Sequence, residues 1–302
     1  MAWEWTQRDS NRNWFGCASS SDGVKLAAPS YNGNIWTSID SGENWVERTA
    51  SGSRTWGGIA SSADGIKLVA VVRNGYIYTS TDSGETWTQR DSSRYWFFVA
   101  SSADGTKLAA VHYGGYIYTS NDSGVTWTQQ VGSGIRNWNT VDLSDDGTIL
   151  AATVQGANIY TSSNSGVDWT ARDSVRSWAC VSLSSDGTKM LAGDASGYLY
   201  TSIDSGVNWV ERTASGSRPW TVSASSADGT RLVACPYNNL MYVSDDSGVT
   251  WESTNGSRGW RGVRSSVDGR NLIAVAANAL IQTGVDDLPP SRSLDKTTYR
   301  YG

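Results

Sequence analysis

The chain has 302 residues, 18% of them charged and 38% hydrophobic, with 32 glycines, 16 tryptophans and 14 tyrosines against only 3 phenylalanines. So much aromatic surface excludes a disordered composition, and no run approaches the 18 apolar residues of a membrane-spanning helix, so membrane insertion is not expected. A net charge of −5 argues against nucleic acid as a partner, although 19 of the 24 basic residues are arginine.

Taken from the N-terminus, Met1 to Trp5 shows neither a basic stretch nor an apolar run, so no signal peptide is expected and no compartment is assigned. One histidine, His112, excludes a histidine-rich metal site. Cys17, Cys180 and Cys235 lack C-x-x-C spacing and read as small apolar strand residues. No metal or cofactor is expected.

Seven copies of one unit fill the chain. Arginine stands two residues before tryptophan at Arg12/Trp14, Arg54/Trp56, Arg94/Trp96, Arg136/Trp138, Arg176/Trp178, Arg218/Trp220 and Arg258/Trp260, at alternating spacings of 42 and 40. An Asp-Gly pair follows each, from Asp22-Gly23 to Asp268-Gly269. A third marker, Ser-x-Asp-Ser-Gly-x-x-Trp, is carried by Asp40/Trp45, Asp82/Trp87, Asp122/Trp127, Asp204/Trp209 and Asp246/Trp251, with Asn164/Trp169 as a variant copy.

Within the second copy, 56–61 predicts strand A, Ala63-Asp64-Gly65 a tight turn and 67–72 strand B. Asn74-Gly75 then predicts a hairpin, 76–80 strand C, and Trp87 the start of strand D. Four antiparallel strands repeating at 40–42 residues predict an all-β, seven-bladed β-propeller in one domain over 1–285. The last copy lacks its fourth strand, while Trp5-Thr6-Gln7-Arg8-Asp9-Ser10 repeats Trp87-Thr88-Gln89-Arg90-Asp91-Ser92. The N-terminal strand is therefore expected to complete the C-terminal blade and close the ring. Residues 286–302, with Pro289-Pro290, carry no repeat and read as a tail.

The third marker resembles the Asp-box, or bacterial neuraminidase repeat, and its six copies cover nearly the whole chain. The resemblance implies a sialidase-like propeller superfamily that also includes xyloglucanases, sortilin-type receptors and photosystem II assembly factors. It further implies that the box aspartates bind turn amides and the box tryptophans pack into the blade. A glycoside hydrolase of that group is the alternative function. However, the Arg-Ile-Pro motif is absent, and none of the six glutamates stands out in a paired-carboxylate arrangement. Repeats of uniform length leave no long loop to build one asymmetric catalytic site.

By strand parity, the Asp-Gly turns and the boxes share one face, and the Arg-x-Trp entries and Tyr/Asn/Gly turns share the other. Strand A is innermost in propellers, so the seven arginines are expected around the channel mouth. With the tryptophans they form a candidate surface for a glycan or an acidic protein segment. The competing reading makes each arginine a packing element, stacked on an indole or paired with Asp9, Asp91 or Asp173. His112 is a candidate lone base or an ordinary turn-flanking residue. A non-catalytic binding or scaffolding module, or a purely structural subunit, follows from this pattern.

Overall fold

The computed structural model describes residues 3–286; of the expected tail 286–302, Asp286 ends the strand Ala279–Asp286 and the rest lies outside the described residues. Among the described residues every regular element is a strand, apart from three single 3-10 turns at Thr49–Ser51, Val131–Ser133 and Thr213–Ser215. No helix there is long and apolar enough to cross a membrane.

Each repeat folds as an antiparallel meander, A through D from the inside outward. In the second repeat Trp56–Ser61 pairs with Leu68–Val72, which pairs with Gly75–Ser80, which pairs with Thr88–Arg94. The B strand, Leu-Val-Ala-Val-Val, is buried at every position because a neighbouring repeat covers each of its faces. The D strand is the outer edge and is largely exposed. In the last repeat Ala279–Asp286 pairs with Trp3–Arg12, Trp5 standing opposite Gly284 and Gln7 opposite Gln282. The chain's beginning thus completes the sheet that its end leaves short, as the sequence predicts.

Ring closure is visible in one chain of backbone hydrogen bonds. The Ser21 amide donates to the Ala63 carbonyl at 2.8 Å. The same step recurs from Ala63 to Ala103, Ala103 to Asp145, Asp145 to Ser185, Ser185 to Ala227 and Ala227 to Val267. Val267 then returns to Ser21 at 2.7 Å. The Asp-Gly glycines add a second lock. Gly65 has φ +70, and a Cβ there would lie 2.7 Å from Cβ of Lys25 in the preceding repeat. Gly105 meets Lys67 in the same way, and Gly23 meets Asn271 across the closure.

The core lies between repeats. Trp56, Ile59, Leu68 and Tyr78 of the second repeat pack with Ala18, Ala27 and Ile35 of the first. All seven indoles of the Arg-x-Trp motif are 0% exposed. Directly after that tryptophan, the A–B register slips by one residue in repeats two to seven, as between Trp96 and Phe98 and between Trp260 and Gly262. A bulge of this kind bends the strand and re-aims the extra side chain.

Candidate functional site

The seven motif arginines do not circle the channel mouth as expected. Each reaches outward from the D–A crossover, and six of the seven lie on a ring of their own repeat's third strand. Arg54 sits 4.5 Å from Tyr78, Arg94 4.4 Å from Tyr118, Arg136 4.4 Å from Tyr160, Arg176 4.5 Å from Tyr200 and Arg218 4.3 Å from Tyr242. Arg12 lies 3.8 Å from Trp36. In the last repeat Gln282 occupies that position, and among the rings of the described residues Arg258 retains only Trp260, at 5.7 Å. The geometric reason is simple: a residue two before the strand is still on the crossover, above strand C.

Local acceptors also take up these arginines. Asp9, Asp91 and Asp173 pair with Arg12, Arg94 and Arg176 at 3.6, 3.0 and 3.6 Å. Arg54 donates to the Ser51 carbonyl at 3.0 Å, and Arg136 and Arg218 donate to the carbonyls of Ser133 and Ser215. Full burial removes Trp14, Trp56, Trp96, Trp138, Trp178, Trp220 and Trp260 from any ligand-contact surface, correcting that half of the expected site. The arginines remain partly exposed.

On the opposite face the aspartates act as turn acceptors. Asp40 receives the Ser38 hydroxyl at 2.7 Å and the Asn44 amide at 2.9 Å, while Trp45 Nε1 donates to the Gly42 carbonyl at 3.0 Å. Asp82, Asp122, Asp204 and Asp246 repeat this pattern with Trp87, Trp127, Trp209 and Trp251. Asn164 substitutes fully: its Oδ1 takes the Ser162 hydroxyl and the Asp168 amide, and Trp169 donates to Gly166. Bonds from the Asn44 amide and the Ser38 hydroxyl hold Asp40 at about 2. The Asp-Gly turns obey the same rule. Ser62 donates to Asp64 at 2.5 Å, and Asp64 takes the Ile66 amide at 2.9 Å. The serine two residues ahead was a sequence signal common to both turn types.

His112 is half-buried, with its ring centroid 6.0 Å from that of Trp96. Burial, reinforced by Arg94, lowers its pKa and favours a neutral, packed imidazole. The cysteines are free and buried, and burial pushes Cys17 up to about 12 and Cys180 to about 11.

The individuality of the molecule lies in strand A, where it lines the channel. A narrow cavity of about 30 Å³ is bordered by all seven repeats, from Gly16 and Cys17 through Phe98, Asp142 and Cys180 to Arg261 and Arg264. On the Asp-Gly side a serine-rich cavity of about 200 Å³ shares Asp142 and Arg264 with it. Most repeats place Ala or Ser four residues after the motif tryptophan, whereas the fourth places Asp142 and the seventh Arg264. Burial raises the Asp142 pKa, opposed by Arg264 and by the Leu183 amide, which donates to it at 2.9 Å.

Around the other mouth, on the crossover face, the position after the tryptophan reads Phe15, Gly57, Phe97, Asn139, Ala179, Thr221, Arg261. Arg73, from the B–C turn of the second repeat, lies between two of these, 4.4 Å from Phe15 and 4.6 Å from Phe97. Gly57 makes room for it, since a Cβ there would meet the Phe97 carbonyl at 3.0 Å and Arg73 Cγ at 3.4 Å. Neither Arg73 nor Arg261 stands out in the sequence repeats, because each breaks the pattern.

No protein-family model matches the chain, and no curated protein matches it in sequence. Solved structures do match. YCF48 from Cyanidioschyzon merolae superposes with a TM-score of 0.72 at 16% identity, over 94% of this chain and 98% of that one. A structure of YCF48 bound to D1 peptide gives 0.75 at 15%, over 94% and 97%. The GH74 xyloglucanase from Xanthomonas campestris gives 0.72 at 14%, over 92% of this chain but 53% of that one. At these identities the likeness establishes the β-propeller fold, and the chain spans about half the length of the xyloglucanase.

Proposed function

We propose that this protein is a non-catalytic, seven-bladed β-propeller over residues 1–285, a binding or scaffolding module whose crossover face receives an acidic protein segment or an acidic glycan. Its six Ser-x-(Asp/Asn)-Ser-Gly-x-x-Trp turns are Asp-boxes of the sialidase-like kind, and their role is to staple the third strand to the fourth. The observation that carries the reading is the charge layout of the crossover face. Every repeat contributes a partly exposed arginine, and guanidinium groups held on rings keep their outward donors for an anion. The structural neighbour with a bound peptide supports a protein ligand.

Asp142 supports a second, weaker reading as a glycoside hydrolase, because a carboxyl with a raised pKa in a channel suits a proton donor. Glycosidase chemistry needs two carboxyl groups flanking the bond; the charges acting on Asp142 are the cation Arg264, which lowers its pKa, and the exposed Asp145, whose smaller effect raises it. Two measurements on purified protein decide between the readings: binding to arrays of acidic peptides and glycans, and turnover of xyloglucan and sialosides. Binding without turnover is expected. Turnover abolished by Asp142→Asn would replace the binding reading with the enzymatic one.

A further inference from the structure

We infer that an arc of alternating aromatic rings and guanidinium groups, centred on Arg73 and Arg261, is the site that binds an extended, carboxylate-bearing peptide. The inference rests on the binding-module reading and narrows it to one sector of the ring. The arc runs from Tyr237 to Arg261 at 5.6 Å, on to Phe15 at 5.6 Å, to Arg73 at 4.4 Å, to Phe97 at 4.6 Å and to Tyr113 at 5.8 Å. Tyr31 packs on Phe15, and Tyr95 packs on both Phe97 and Tyr113.

Three features separate this arc from blade packing. First, it is not repeated. Repeats six, seven, one, two and three supply it, while the equivalent positions in repeats four and five are Asn139 and Gln155, Ala179 and Ala195. An element present in every repeat belongs to the scaffold, whereas one confined to a sector is an addition to it. Second, among the described residues its cations have no carboxylate partner: neither Arg73 nor Arg261 has a salt bridge, and the buried Nε of each has no hydrogen-bond acceptor. Burial lowers the Arg73 pKa, the phenol groups of Tyr95 and Tyr31 offset part of that, and the nearby charge of Arg261 adds to the lowering. Two like charges on either side of one phenylalanine gain from an anion between or above them.

Third, the shape suits a chain. Successive steps of 4.4–5.8 Å across five repeats give an arc long enough for several residues at the ~3.3 Å rise of extended backbone. The partly exposed rings offer apolar shelves beside each guanidinium, which accepts a carboxylate through two parallel donors. Phe97 and Arg261 occupy the bulge position of strand A, where the register slip re-aims the side chain. Each of the three phenylalanines of the chain lies beside an arginine, Phe97 and Phe98 on Trp96–Ser101 and Phe15 just ahead of Ala18–Ser19: Phe98 has Arg264 at 5.6 Å.

The test uses the full chain and fluorescence anisotropy with labelled hexaglutamate and hexaglutamine. Hexaglutamate is expected to bind, more weakly as salt rises, and hexaglutamine to bind at least about tenfold more weakly. Arg73→Ala with Arg261→Ala should cost about tenfold or more in affinity, and Arg73→Lys, which keeps charge and stem but not the fork, several-fold. Arg54→Ala with Arg136→Ala and Arg218→Ala, which weakens the general charge of this face, should cost less than the Arg73/Arg261 pair, whereas Arg90→Ala with Arg172→Ala, on the outer fourth strands, should leave affinity within about twofold. A melting curve for each variant verifies folding, and Arg73→Lys serves if the Arg73/Arg261 variant does not fold. Affinity lost in the triple variant but kept in the Arg73/Arg261 one would overturn this site while leaving an acidic-ligand face intact. No binding of hexaglutamate, or equal displacement of it by millimolar sulfate, phosphate or sialyllactose, would overturn the site as a peptide site.

Discussion

Asp122 and Trp56 hold the fold at different energetic scales. Asp122 is exposed and takes the Ser120 hydroxyl at 2.8 Å, the Thr126 amide at 2.9 Å and the Thr126 hydroxyl at 2.6 Å. Water can replace each of these donors, so Asp122→Ala should cost about 1–2 kcal/mol and Asp122→Asn much less, as the intact Asn164 turn implies. Trp56 is fully buried between two repeats, with Tyr78 packed edge-on at 5.6 Å and its indole nitrogen donating to the Gly33 carbonyl at 2.9 Å. Trp56→Ala should cost about 3–5 kcal/mol or more. Chemical denaturation of the three variants checks the ranking, and equal losses for Asp122→Ala and Trp56→Ala would show that the turn, not the indole, anchors the repeat. At this scale the turn residues were legible in the sequence because repetition exposes them. Arg73, Arg261 and Asp142 were not, because repetition hides whatever occurs once. Comparing strand A position by position across the repeats would have isolated Arg261, Asp142 and Arg264, the three charged residues at positions otherwise filled by Phe, Gly, Asn, Ala, Thr and Ser.

The strand order, the hairpin turns and the closing strand were all legible because Asp-Gly, Asn-Gly and the box turns each fix a chain reversal locally. The crossovers were less so. The sequence shows six or eight residues between D-strand tryptophan and motif arginine, and the structure turns that difference into two geometries. Short crossovers place Asp9, Asp91, Asp173 or Asn255 at φ 50–56 and let one strand run on, as in Thr170–Leu183 and Glu252–Ser265. Long ones insert a 3-10 turn ended by Gly52, Gly134 or Gly216 at φ 68–72. The fourth short crossover escapes notice because Asn255 stands where the others carry aspartate. Since Trp3–Arg12 forms the outer strand of the closing sheet, removing residues 1–8 should expose the edge of Ala279–Asp286 and uncover Gly284, on which Trp5 packs. The truncated chain should melt well below the intact protein and associate through the open edge, and a synthetic peptide of residues 1–12 should restore the melting point. A truncated chain that is monomeric and as stable as the intact one would refute closure by this strand.

Across the whole ring the carboxylates of the turn face act as one titrating set. Asp122 is held at about 2 by the Thr126 hydroxyl and amide, and Asp204 at about 2 by the Asn208 amide and side chain. Asp104 and Asp146 are held at about 2, chiefly by the hydroxyls of Ser102 and Ser144. Their folded pKa values lie below the ordinary 3.8, so the unfolded chain binds protons first as pH falls. The stabilisation is therefore complete above about pH 4–5 and is lost as pH drops from there toward 2. Each group is mostly exposed and contributes modestly, but at least one such turn occurs in every repeat, so the losses coincide in pH. The melting temperature should be nearly flat from pH 7 to 5 and fall steeply between pH 4 and 2. Replacing Asp40, Asp122 and Asp204 together by Asn copies the arrangement already present at Asn164, keeping the acceptor and removing the titrating group. That variant should melt somewhat below the wild type at pH 7 and lose less stability on acidification, so the two curves converge toward pH 2. Parallel curves would mean that other carboxyl groups set the acid limit and that the turn bonds contribute equally whether or not the acceptor is charged.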